Sequence, residues 1–100
     1  MSGRDGTARK RTIRRDLTIV NKRGLHARAS ARFVQVAGGY DAVIEVEKDG
    51  VKVYGPSIMG LMMLAASPGC TIAVSATGAE AEAAMAALEE LVASRFGEEI

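Results

Sequence analysis

His26 and Cys70 are the only histidine and cysteine in the 100 residues, and that scarcity narrows the chemistry at once. A Cys/His zinc cluster is excluded, and no convergent carboxylate pair is visible that would serve a hydrolase. Cys70 has no partner for an intramolecular disulfide, which fits a reducing cytoplasm, so a cytoplasmic protein is expected. Imidazole offers a different chemistry. Its neutral ring carries a lone pair at physiological pH, so it can accept a phosphoryl group, and the resulting N–P bond is weak enough to pass that group onward.

The surroundings of His26 suit such a role. In Lys22-Arg23-Gly24-Leu25-His26-Ala27-Arg28-Ala29-Ser30 the histidine falls where a loop runs into a helix, near the N-cap. An anion beside it would meet the unpaired backbone N–H groups of Ala27, Arg28 and Ala29, the positive end of the helix dipole, and the Arg28 guanidinium. A helix N-terminus contributes roughly 0.3 to 2 kcal/mol to an adjacent anion, enough to orient a phosphate and too little to trap it. Gly24 gives the loop a conformation that a Cβ would obstruct, and Leu25 is placed to anchor the turn. The same position also suits an ordinary capping histidine, since N-caps routinely carry polar side chains.

A second helix start is written at Pro56-Ser57, ahead of Ile58-Met59-Gly60-Leu61-Met62-Met63-Leu64. Ser57 as N-cap would contribute about 1 kcal/mol. The helix behind it is apolar nearly all round, and a sheet can bury only one side, so some of Ile58, Met59, Met62 and Met63 should be exposed. Flexible thioethers adapt to different surfaces, which makes these residues a candidate docking patch; methionine as core filler is the plainer reading. Arg28 and Arg32, at helical spacing, would add a basic rim or form a solvated face.

The elements that must position these residues follow from periodicity. Leu17 and Ile19 alternate with Asp16 and Thr18, which predicts a strand between Arg14 and Val20. Ala29, Phe33, Val36 and Ala37 predict a helix from Ala27 to about Ala37, stopped by Gly38-Gly39. Runs at 43–48 and 51–54 flank Asp49-Gly50, a two-residue type I′ hairpin turn. Residues 71–77 return to period two. Thr77 and Glu80 have capping-box spacing before the stripe Ala81, Ala84, Met85, Leu88, Leu91 and Val92, with Arg95 in the last turn and Gly97 behind it. The order βαββαβα, with one apolar stripe per long helix, predicts an α+β fold: a two-layer sandwich with one sheet face left wet.

Length and composition agree with one soluble domain, expected over residues 12–100 after a disordered basic tail at 1–11. Thirteen Lys+Arg against twelve Asp+Glu leave a net charge of +1, and aromatics make up 4%, both against a nucleic-acid binder. No stretch has the length of a signal peptide or a membrane span, so no membrane insertion is expected.

The segment Gly24-Leu25-His26-Ala27-Arg28-Ala29-Ser30 resembles the active-site signature of the HPr phosphocarrier proteins of the phosphoenolpyruvate-dependent phosphotransferase system. Pro56-Ser57-Ile58-Met59-Gly60-Leu61-Met62 resembles their second signature, around a regulatory serine. The resemblance spans about residues 14 to 95. It implies an open-faced β-sandwich, a four-stranded antiparallel sheet covered on one face by three helices. It also implies that His26 takes a phosphoryl group on Nδ1 from enzyme I and gives it to downstream phosphoryl-acceptor proteins, with Arg28 accompanying the phosphate. Ser57 would be the target of an HPr kinase/phosphorylase. No cofactor and no metal are implied, and a monomer is expected: a carrier whose catalysis is supplied by partners. A regulatory interaction domain on the same scaffold, choosing partners by its charge state, is the alternative. Many family members carry proline where this chain has Ala29. Alanine restores an N–H there and removes a stiffener of the first turn.

Overall fold

The computed structural model describes residues 11–98. Its elements are β1 (Arg11–Thr18), α1 (Ala27–Ala37), β2 (Val43–Lys48), β3 (Val51–Tyr54), α2 (Ile58–Met63), β4 (Thr71–Gly78) and α3 (Ala81–Ala93), followed by a 3-10 turn, Arg95–Gly97. The strands form one sheet in the order β1-β4-β2-β3, and every neighbouring pair is antiparallel. This is the open-faced sandwich and the βαββαβα order that the sequence predicts.

Alternation builds the core. Ile44 and Val46 from β2, and Ile72, Val74 and Ala76 from β4, point to the helices and are buried. Ala29, Phe33 and Ala37 from α1, and Ala81, Ala84, Met85, Leu88 and Val92 from α3, close over them. The small alanines let each helix lie near the strands. The other sheet face stays polar, with exposed ion pairs between Arg14 and Glu47 (3.6 Å) and between Lys52 and Glu45 (3.7 Å). Such pairs add little stability. Asp49 and Gly50 take φ of 53° and 81°, as the hairpin turn requires. Among the described residues, no helix is long and apolar enough to cross a membrane.

Several boundaries differ from the sequence reading. The first strand begins earlier and ends at Thr18, because Arg11 to Arg14 pair with Ser75 to Gly78 at the far end of β4. Arg15, on the helix-facing side, reaches Glu89 at 3.7 Å and so hides the strand's alternation. The expected basic tail lies outside the described residues, apart from Arg11, which is the first residue of β1.

The Thr77/Glu80 capping box does not form. Thr77 belongs to β4 and its hydroxyl meets that of Thr12 at 2.9 Å, while the Glu80 carboxylate accepts from the Asp41 amide at 2.6 Å. Glu80 is itself the N-cap of α3, with no side-chain cap bond. Two tertiary partners thus outcompete the local pairing. Arg95, expected in the last turn of α3, lies beyond it in the left-handed region at φ 60°, and the helix ends at Ala93.

Candidate functional site

His26 caps α1. Its backbone is extended (φ −77°, ψ −176°) and its Nδ1 accepts from the backbone N–H of Arg28 at 3.2 Å. The imidazole therefore lies over the first turn of the helix, at the positive end of its dipole. Gly24 sets this up: at φ +66°, a Cβ on it would come within 2.4 Å of the Ala66 carbonyl oxygen. The Leu25 amide donates to that same oxygen at 2.9 Å and Leu25 is buried, so the loop is pinned to the segment that follows α2. Inside the first turn, the Ser30 hydroxyl donates to the Leu25 carbonyl at 3.2 Å. The ring is not sealed in, for 22% of the side chain is accessible.

The other ring nitrogen, Nε2, meets the Glu98 carboxylate at 2.5 Å. The second oxygen of Glu98 accepts from the Asn21 side-chain amide at 3.1 Å, and that amide also donates to the Gly24 carbonyl at 2.9 Å. Burial pushes the Glu98 carboxyl up, but the hydrogen bonds from Asn21 and His26, with the charges of His26 and Arg23, outweigh it and hold the group below its ordinary value. The outcome is an imidazole clamped at both nitrogens, at a helix start with unused amides at Ala27 and Ala29 among the described residues.

Residues 13–94 match the family described as "PTS HPr component phosphorylation site". The chain belongs to the HPr phosphocarrier family. It is 48% identical over 86 residues to the phosphocarrier protein HPr of Cupriavidus necator, covering 86% of this chain and 97% of that protein. A crystal structure of HPr from Thermoanaerobacter tengcongensis superposes with a TM-score of 0.84 at 46% identity, covering 88% of this chain and 99% of that one. HPr from Bacillus anthracis gives a TM-score of 0.78 at 41% identity, covering 81% and 96%. HPr proteins are phosphocarriers of the phosphotransferase system and not catalysts in themselves, and this chain is a phosphoryl carrier of the HPr type.

In this HPr chain the other residues singled out in the sequence are arranged as follows. Arg28 and Arg32 are exposed on α1, and the Arg28 guanidinium makes no ion pair among the described residues. Ala27 is exposed, whereas Ala29 is fully buried, so its small size is a packing requirement as well as a helical one. Ser57 caps α2, its hydroxyl accepting from the Gly60 amide at 2.9 Å. Ile58, Met59, Met62 and Met63 are all exposed, Met59 and Met63 to 72% and 76%, while Leu61 on the same helix is buried. These methionines are therefore surface, not core filler. No group of three metal-ligating side chains occurs among the described residues.

Sequence reasoning missed Asn21, Phe96 and Glu98. Phe96 carried a legible signal, since it extends the stripe Leu88, Val92 by one further helical step, and it is 1% exposed. Asn21 and Glu98 carried none: one is a polar residue in a loop, and the other lies 72 positions from the ring it touches.

Proposed function

We propose that His26 is the residue that accepts the phosphoryl group, from enzyme I charged by phosphoenolpyruvate, and that it donates the group to a downstream phosphotransferase-system protein. The carrying observation is the Nδ1 of His26 lying 3.2 Å from a backbone N–H at the start of α1. In the transfer, the Arg28 N–H releases Nδ1, whose lone pair forms the bond to phosphorus while the bond from phosphorus to the donor breaks and its electrons leave with the donor. The exposed first-turn amides of Ala27 and Arg28 and the Arg28 guanidinium then face the phosphoryl oxygens, whereas Ala29, expected from the sequence to join them, is buried. The helix dipole adds roughly 0.3 to 2 kcal/mol, and so orients the group without holding it against onward transfer.

Partners dock, on this reading, on Arg32 together with Ile58, Met59, Met62 and Met63, a surface supported by its exposure and by the adaptability of thioethers. Ser57 is the site of regulatory phosphorylation by an HPr kinase/phosphorylase. A phosphate there would place nearly two negative charges at the edge of the docking patch, and donor binding would weaken while the fold survives. Phospho-Ser57 protein accepting phosphate at His26 as fast as the unmodified form would contradict this. The main reading is tested by incubation with phosphoenolpyruvate and enzyme I. An acid-labile adduct should form on the wild type and be lost in His26→Ala, and an adduct persisting in that variant overturns it.

A further inference from the structure

The His26 ring is held from two sides, and only one of them belongs to the helix. A backbone N–H can only donate, so the contact from Arg28 identifies Nδ1 as the nitrogen with the lone pair and Nε2 as the one with the proton in the neutral ring. Nε2–H then donates to Glu98 Oε2, while Glu98 Oε1 accepts from Asn21. Glu98 reaches this position because Arg95, Phe96 and Gly97 all take left-handed φ, of 60°, 56° and 79°, and turn the chain back after α3. Left-handed conformations cost free energy at Arg95 and Phe96, and burial of the Phe96 ring offsets that cost. The last described turn is therefore an anchored strap that delivers a carboxylate to the ring.

We propose that Glu98 is a positioning residue for phosphoryl acceptance: its carboxylate holds His26 in the Nε2–H form, keeping the Nδ1 lone pair available to phosphorus, with Asn21 as the brace. This rests on the carrier reading of His26. The logic is that of any histidine oriented by a carboxylate on its distal nitrogen. As the N–P bond forms at Nδ1, Nε2 retains its proton and the ring gains positive charge, which the adjacent carboxylate offsets. When the group leaves, the bonding pair returns to Nδ1 and the starting state is restored. No further reactant is needed.

The informative variant is Glu98→Gln, which keeps the size and replaces two acceptors by one. If the new carbonyl faces Asn21, its NH2 faces Nε2 and draws the ring proton to Nδ1; if it faces His26, two NH2 groups oppose each other at Asn21. The experiment measures ring 15N shifts of His26 and steady-state phosphorylation by enzyme I and phosphoenolpyruvate, with this protein as the varied substrate. Glu98→Gln should raise the Nδ1–H population and lower kcat about tenfold, with KM within about twofold, and Glu98→Asp should recover part of the loss. Ring shifts and kcat both equal to wild type in Glu98→Gln would overturn the proposal. A wild type that takes no phosphate would defeat the carrier reading instead, and the ring shifts alone would then decide whether Glu98 sets the tautomer.

Discussion

The two helix starts at His26 and Ser57 solve one backbone problem with different chemistry. Both residues are extended N-caps whose side chains accept from a first-turn amide, at 3.2 Å from Arg28 and 2.9 Å from Gly60. At Ser57 the bond is local and complete, for the hydroxyl satisfies Gly60 within three residues. At His26 the cap is one half of a clamp whose other half comes from Glu98, across the fold. An imidazole spends one nitrogen on the helix and keeps a second for orientation, whereas a hydroxyl has a single atom for both. The difference separates a cap that stabilises a helix from a cap that can also carry a reacting group.

Replacing His26 by serine makes the comparison sharpest. His26→Ser retains a capping oxygen and removes the nucleophilic ring, so formation of the acid-labile adduct should fall to background while the thermal midpoint shifts by only a few degrees. A variant that still gains the adduct would make the two caps equivalent. Gly24→Ala comes next. A Cβ at φ +66° and 2.4 Å from the Ala66 oxygen must displace the loop, and should cost about 2 kcal/mol in urea unfolding. An unchanged midpoint would mean that the loop bearing His26 is not held by that contact.

Ser57→Ala should lose about 1 kcal/mol by the same measurement, with the acid-labile adduct still forming at His26. A loss of the adduct as complete as in His26→Ser would dissolve the distinction between the caps. The smallest effect is a pH dependence. Because the Glu98 carboxyl is held below its ordinary value in the folded chain, its contribution is present above the unfolded value of 4.5 and is lost as the pH falls through the folded one. Wild type should thus exceed Glu98→Gln in urea midpoint at neutral pH, and the gap should narrow in acid.

What could be read from the chain alone was whatever neighbours decide. The Asp49-Gly50 turn, the caps at His26 and Ser57, the glycine before the histidine and the alternation in β4 all depend on residues within a few positions, where sterics and hydrogen bonding act without knowledge of the rest. The tertiary structure decided the remainder. Thr77 and Glu80 have the spacing of a local cap, yet each finds a better partner on a distant segment, Thr12 and Asp41. The register that starts β1 at Arg11 and the meeting of Asn21, His26 and Glu98 required the core to form first. A hydrogen bond spanning 72 residues has no local pattern to announce it. The left-handed turn at 95–97 and the burial of Phe96 together bring its two ends within reach.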